Sequence, residues 1–162
     1  YEDIPVYDTR DQMERTDEID NAYMNDQLEK SLIGYPGDGQ TVSTSPAGTI
    51  EIIGVAWAGD DALEMVEVST DGGDSWAEAE FFGPMNSPNG WRQFRYVWND
   101  PSPGDHTLVS RATDERGYTQ PATISAPEDQ LRSIENDQYP WNQSGYGLNA
   151  YMPHAIDCTV EE

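Results

Sequence analysis

The stretch Val68–Trp76, VSTDGGDSW, lies near the middle of the 162-residue chain. It fits the pattern S-x-D-x-G-x-x-W, an Asp-box hairpin that is best known from β-propellers. A propeller needs at least four blades of four strands and repeats its motif at a fixed period, whereas this sequence contains one copy. The stretch therefore predicts one tight hairpin. In it Asp71 accepts backbone N–H bonds, Gly72 and Gly73 adopt positive φ, and Trp76 folds over the strand pair.

Short runs of alternating apolar and polar residues flank this turn on both sides. About seven such runs, with turn signals every 8–12 residues and no long helical period, predict an all-β fold. The fold class is an immunoglobulin-like antiparallel β-sandwich. The clearest runs are GTIEIIGVAWAG (48–59), LEMVEVS (63–69), SWAEAEF (75–81), WRQFRYVW (91–98), TLVSRAT (107–113) and HAIDCTV (154–160).

The tryptophans and the single cysteine give further expectations about the core. Trp57, Trp76 and Trp98 lie in predicted strands and are expected to be buried, whereas Trp91 is a candidate for an exposed interface position. One cysteine excludes an internal disulfide. We expect Cys158 to pack as a small apolar residue of the last strand, with a reactive thiol as the alternative.

The charge balance is strongly acidic. Asp and Glu number 31 against 8 Lys and Arg, for a formal net charge of −23, and Lys30 is the single lysine. Such a surface repels nucleic acid and anionic membranes. A basic protein partner, a cationic ligand or a calcium site would use it, but acidity with few lysines also resembles proteins of extreme halophiles. We therefore expect a high-salt environment, and a fold that weakens at low salt.

Residues 1–29 are acidic without a clear apolar period, which predicts an irregular linker or tail. No apolar run approaches 18 residues, so no membrane-spanning helix is expected. Cytoplasmic and exported locations are both open.

No set of catalytic or metal-binding residues is evident. His106 and His154 are the two histidines, and neither belongs to a pattern that supplies a nucleophile and its base. Asp71, Asp74 and Glu78 lack the ligand order of an EF-hand. The sequence therefore predicts no catalytic, cofactor-binding or metal site within this chain.

Four motifs in order resemble the C-terminal dimerisation domain of the molybdenum-cofactor oxidoreductases of the sulfite oxidase family. The resemblance covers roughly residues 25 to 162. The motifs are EKSLIGYPGDGQTV (29–42), IEIIGVAWAGDDALEMVEVSTDGGDSWAEAEF (50–81), PGDHTLVSRATDERGYTQP (103–121) and WNQSGYGLNAYMPHAIDCTV (141–160).

This resemblance implies an immunoglobulin-like dimerisation domain over residues 30–162 that is not an enzyme on its own. It implies a two-fold homodimer, and an upstream catalytic domain of the same polypeptide that carries molybdopterin and molybdenum. Residues 1–29 would be the acidic linker that leaves that domain. Cys158 does not match the cysteine that binds molybdenum in the family.

The resemblance also implies that loop 141–149 faces the catalytic domain. In animal and plant sulfite oxidases the closing motif reads W-N-L-R-G, and its arginine reaches toward the anionic substrate. Ser144 stands at that position here. A serine cannot make the bidentate, charge-assisted bonds of a guanidinium, so the resemblance does not carry sulfite over as the substrate.

Two further residues complete the candidate set. Arg111 shares a strand face with Val109 and is either a salt-bridge or dimer-interface residue or an exposed strand arginine. His154 matches a histidine of the family and is interpreted as structural. The candidate interface or loop residues are Trp91, Arg111, Trp141, Asn142, Ser144, Tyr146, Asn149 and His154, and the turn residues are Asp71, Gly72, Gly73 and Trp76.

The alternative function comes from another class of protein. A secreted β-sandwich could bind glycans through exposed tryptophans, and saturable quenching of tryptophan fluorescence by a glycan would favour it.

Overall fold

A computed structural model describes residues 6–7, 23–24, 27–122 and 149–161. These residues form strands joined by turns, with one 3-10 helix, Met152–His154. No helix in these ranges has the length and apolar character needed to cross a bilayer. The strands are β1 (Val6–Tyr7), β2 (Tyr23–Met24), β3 (Lys30–Tyr35), β4 (Gln40–Val42), β5 (Thr49–Trp57), β6 (Leu63–Ser69), β7 (Ala77–Glu78), β8 (Glu80–Phe82), β9 (Arg92–Asn99), β10 (Gly104–Asp114) and β11 (Ile156–Val160).

Nine of these strands form two sheets that pack face to face. The five-stranded sheet has the order β4-β11-β10-β6-β7, and the four-stranded sheet has the order β3-β5-β9-β8. The predicted all-β sandwich is confirmed. The predicted antiparallel sandwich has an exception at one edge, where β4 pairs parallel with β11. A separate pair, β1 and β2, is also parallel and lies within the predicted tail.

The predicted strand SWAEAEF proved to be two strands in different sheets. Ala77–Glu78 pairs with β6, whereas Glu80–Phe82 pairs with β9. The chain changes sheets at Ala79, which is buried and donates its backbone N–H to the Val66 carbonyl at 2.9 Å. Edge strands of two or three residues are too short for their pattern to reveal such a crossing, which explains why about seven strands were predicted.

The core lies between the two sheets. In β5 every second residue is buried, because successive side chains of a strand point to opposite faces. Ile52 and Phe94 of the four-stranded sheet meet Val66 and Leu108 of the five-stranded sheet, and all four are fully buried. Cys158 belongs to the same cluster, as predicted. Burial, followed by the nearby carboxylates Asp157 and Asp105, raises the pKa of its thiol.

The prediction that three tryptophans are buried was right for one of them. Trp98 is 8% exposed and belongs to the core. Trp57 and Trp76 are half-buried. Trp57 lies at an outward-facing position of β5, opposite in parity to Ile50 and Ile52. A strand assignment alone does not say which of the two faces is covered.

The described segment 27–29 falls within the predicted tail and precedes β3 directly. Leu28 and Glu29 in it are buried. The packed part of the chain therefore includes residues on the amino-terminal side of β3.

Gly54 is required by the close approach of two strands. A Cβ atom at this position would clash with the Leu32 carbonyl oxygen and would lie 2.7 Å from Cε1 of Phe94. We predict that Gly54→Ala lowers the free energy of unfolding by about 1–3 kcal/mol through overpacking. Denaturant unfolding at constant salt measures the change.

Gly34→Ala is the matched control in the neighbouring strand. The atom nearest to a Cβ there is the Ile53 carbonyl oxygen at 3.8 Å, an ordinary contact. Equal losses for the two variants would contradict a steric role for Gly54.

Candidate functional site

The side chain of Asp71 holds the Asp-box turn through local hydrogen bonds. One carboxylate oxygen of Asp71 accepts the backbone N–H of Ser75 at 2.9 Å and the hydroxyl of Ser69 at 2.6 Å. The Ser75 hydroxyl donates to the other oxygen. Gly72 and Gly73 have φ of 75° and 104°. The bonds from Ser69 and then Ser75 lower the pKa of Asp71 to about 2. Its carboxylate is thus used to hold the turn.

Trp76, Arg111 and Tyr151 form a stacked cluster on the outer face of the five-stranded sheet. The Arg111 guanidinium carbon lies 4.0 Å from the centre of the Trp76 ring, and its Nε donates to the Glu67 carboxylate at 2.7 Å. Tyr151 meets the edge of Trp76 with ring centres 5.1 Å apart. Val109 points outward on this face and is nevertheless fully buried. The cluster therefore covers the β6–β10 part of this face, and Arg111 makes its salt bridge within its own chain.

A buried polar network lies at one end of the sandwich and is centred on Gln120. Its side-chain oxygen accepts bonds from the Ser31 hydroxyl at 2.7 Å and the Ala112 backbone N–H at 2.9 Å. The Ser110 hydroxyl donates to Ser31 at 3.0 Å. Ser31 belongs to β3 and Ser110 to β10, so this network links the two sheets by hydrogen bonds.

The network continues into the two chain segments that border the sandwich. Gln120 Nε2 donates to the Asn149 carbonyl at 2.7 Å, and the Asn149 amide donates to the Glu29 carboxylate at 3.2 Å. Glu29, Gln120 and Asn149 are each at most 2% exposed. The segment that precedes β3 and the segment that follows residue 148 therefore meet at this point.

The two histidines lie in separate surroundings. His106 shares a hydrogen bond of 2.8 Å with the Ser102 carbonyl and packs edge-on against Trp98. His154 ends the 3-10 helix, and burial, followed by the charge of Lys30, lowers its pKa. Within residues 27–122 and 149–161, no three His, Cys, Asp or Glu side chains come together as a metal site.

An open cleft of about 370 Å³ lies along β10 and β11. On its floor Thr107 donates to Asp157 and Thr159 donates to Asp105, both at 2.7 Å. Each carboxylate is thus engaged by a hydroxyl of the neighbouring strand. This arrangement stabilises the strand pair.

Trp57 and Trp91 stack on the outer face of the four-stranded sheet. Their ring centres are 5.6 Å apart with an interplanar angle of 23°. Trp57 Nε1 donates to the Asn89 carbonyl at 2.8 Å, and the Asn89 amide donates to the Asp60 carbonyl at 2.9 Å. The loop before β9 is thereby attached to the end of β5, and Trp91 remains 51% exposed.

The structure does not bring the sequence-predicted site residues together. Trp91 lies on one outer face of the sandwich and Arg111 on the other, while Asn149 is buried in the polar network. Trp141, Asn142, Ser144 and Tyr146 lie outside the described residues. Sequence reasoning missed Gln120 and Glu29. Gln120 stands in the recognisable T-Q-P stretch, but Glu29 has no signal among so many acidic residues.

Comparisons with known proteins agree on one family. The model of the Mo-co oxidoreductase dimerisation domain matches residues 22–142. The chain is 34% identical over 110 residues to the mitochondrial sulfite oxidases of Rattus norvegicus and Homo sapiens, covering 65% of this chain and 19% of each relative. It therefore spans about a fifth of their length. The glycan-binding alternative gains no support from these matches.

A solved structure is also similar. The sulfane dehydrogenase SoxCD from Paracoccus pantotrophus aligns with a TM-score of 0.52 and 26% identity, covering 83% of this chain and 33% of that chain.

Because the Asp71 side chain makes several hydrogen bonds, we predict that its removal lowers the stability of the fold. We expect Asp71→Ala to lower the free energy of unfolding at pH 7 by about 1 kcal/mol, as for a lost cap-like hydrogen bond. The advantage of the wild-type carboxylate should be complete above pH 4, because the folded pKa of about 2 lies below the unfolded value of 3.8. It should diminish as the pH falls toward 2.

Unfolding of both proteins at constant salt between pH 7 and pH 2 measures this difference. A difference that grows as the pH falls would contradict the assigned role of the Asp71 carboxylate.

We predict a larger loss of stability when the Gln120 side chain is removed, because buried groups then lack hydrogen-bond partners. Gln120→Ala deprives the Ala112 N–H and the Asn149 carbonyl of their bonds. At about 1–3 kcal/mol for each unsatisfied group, we expect a loss of roughly 3 kcal/mol. Gln40→Ala is the control, since Gln40 accepts a bond from the exposed Gly37 N–H and water can replace it. Comparable losses in the two variants would argue against the network.

Proposed function

Because this chain belongs to the family of Mo-co oxidoreductase dimerisation domains, we propose that it is a non-catalytic module that pairs two copies of a longer molybdenum-cofactor enzyme. The observation that carries this proposal is the family match over residues 22–142, which includes most of both sheets. The work of such a module is structural: it supplies surface that buries against a second copy related by a two-fold axis.

The described side chains support a non-catalytic role. Groups that could do chemistry elsewhere are committed here to holding the fold. Asp71 closes a turn, Arg111 pairs with Glu67, His106 packs on Trp98, and Cys158 lies in the core. A catalytic group must reach its substrate in a usable protonation state, and these groups are occupied or covered.

We expect the molybdopterin cofactor to be bound by an upstream domain of the parent polypeptide. Cys158 is 2% exposed, and burial raises the pKa of its thiol. A metal-ligating cysteine must be a thiolate. The one cysteine of this chain is thus enclosed in the core, which supports placing the molybdenum centre in the upstream domain.

The position of that upstream domain is part of the proposal. We propose that residues 1–29 connect it to the sandwich and that loop 141–149 faces it. The hydrogen bond between Glu29 and Asn149 supports both assignments. It joins the last residue of the connector to the last residue of the loop, so the two segments start from the same end of the sandwich.

The substrate contact of the parent enzyme is proposed to differ from that of sulfite oxidase. Ser144 replaces the arginine of the closing motif. It can offer one hydroxyl bond and no positive charge to an oxyanion. The acidic composition further supports a parent enzyme that works at high salt.

The oligomeric state of the chain tests the proposed function. We predict that sedimentation equilibrium at 2 M NaCl gives a mass twice the 18.1 kDa of one chain. Stable homodimers of this kind bury about 1,200–2,000 Å² or more in total, and their assembly depends on protein concentration. A chain that stays monomeric across the whole accessible concentration range at molar salt would refute self-association by this module.

A further inference from the structure

The outer face of the four-stranded sheet carries an unusual set of apolar side chains. Register places Leu32 opposite Val55, and Tyr35 opposite Ile53 after the irregularity at the end of β3. Trp57 and Trp91 stack at one end of this face, and Val97 lies farther along it opposite Glu51. Six of these residues form what we call the apolar face: Tyr35, Ile53, Val55, Trp57, Trp91 and Val97.

Exposure distinguishes this face from the rest of the described surface. Of the five large hydrophobic side chains that are exposed in the described ranges, three belong to the apolar face: Trp91 at 51%, Tyr35 at 42% and Val97 at 38%. Single exposed apolar residues are normal. A contiguous patch on a sheet of this size, roughly 400 Å² from strand spacing and rise, is in the range that marks interaction surfaces.

The charge of this face is balanced in a chain of net charge −23. Arg95 lies 3.2 Å from the Glu80 carboxylate and 3.9 Å from that of Glu51, and Lys30 is aligned with Trp57. Two basic and two acidic side chains therefore occupy the outward positions of these strands. A surface that must meet an identical, equally acidic molecule needs such local balance, because like charges that face each other oppose association.

The apolar part of the other outer face of the sandwich is already covered within the chain. Trp76, Arg111 and Tyr151 pack together over β6 and β10, where the outward-pointing Val109 is fully buried. The four-stranded sheet has no comparable cover in the described residues, since Trp91 and Val97 remain exposed on it.

We propose that the apolar face is where a second copy of this chain docks, with the Trp57–Trp91 stack as its aromatic anchor. This inference rests on the proposed function and specifies its surface. An isologous contact lets each copy present the same patch to the other, and aromatic residues in such patches contribute a large share of the binding free energy. Salt strengthens the contact, because it screens the repulsion between two chains that each carry −23.

Sedimentation equilibrium of the full 162-residue chain and its variants at 2 M NaCl tests the proposal. We expect Val97→Glu to raise the dimer dissociation constant at least about 100-fold, since two unpaired carboxylates would be buried. Trp91→Ala should raise it at least about tenfold. For the wild-type chain, lowering NaCl to 0.2 M should weaken the dimer at least about tenfold.

Met152→Glu is the matched control. Met152 is apolar and 36% exposed, close to the 38% of Val97, but it follows Tyr151, which packs against Trp76 on the outer face of the other sheet. The dimer dissociation constant of this variant should stay within about threefold of the wild-type value. Thermal melting at the same salt verifies that each variant is folded, and Trp91→Ala provides the test if Val97→Glu does not fold.

The outcomes separate this proposal from the function on which it rests. A wild-type dimer that both Val97→Glu and Trp91→Ala leave intact would overturn the docking face but keep the dimerisation module. Equal weakening by Met152→Glu would also overturn the face. A wild-type chain that is monomeric at molar salt would overturn both the module and its face.

Discussion

The hydrogen bonds around Gln120 are the constraint on which the arrangement of the sandwich depends. Apolar contacts hold the two sheets together, but they are not directional and tolerate sliding. The bonds from Ser31 and Ala112 to one amide oxygen impose a single alignment of β3 on β10. A buried donor or acceptor without its partner is costly. The nitrogen of the same amide donates to the Asn149 carbonyl. Gln120 therefore fixes both the packing of the two sheets and the position of the segment that starts at Asn149.

Sequence patterns predicted the repeating parts of this structure well. Alternation identified the long strands β5, β6, β9 and β10, and the four ordered motifs identified the family that the comparisons confirm. Local chemistry was enough for the Asp71 side chain, because its hydrogen bonds lie within residues 69–75.

Features made by residues far apart in the chain were not predictable in this way. The Glu29–Asn149 bond joins positions 120 residues apart, and the parallel β4–β11 pair joins the first strand of its sheet to the last. The residues that neighbour either partner in the sequence do not indicate where the other partner lies. The burial of Trp98 and the greater exposure of Trp57 were unpredictable for a similar reason. Side chains alternate between the two faces of a strand, but this alternation does not indicate which face is covered.

The Trp76–Arg111–Tyr151 cluster has a consequence for the geometry of assembly. A two-layer sandwich with both outer faces uncovered would be bivalent: each molecule could join two neighbours, and contacts that do not close produce filaments. The cluster covers the β6–β10 part of one layer from within the chain. If a second copy docks on the four-stranded sheet as proposed, that sheet is the one apolar outer face left uncovered in the described residues, and association through it would stop at two copies.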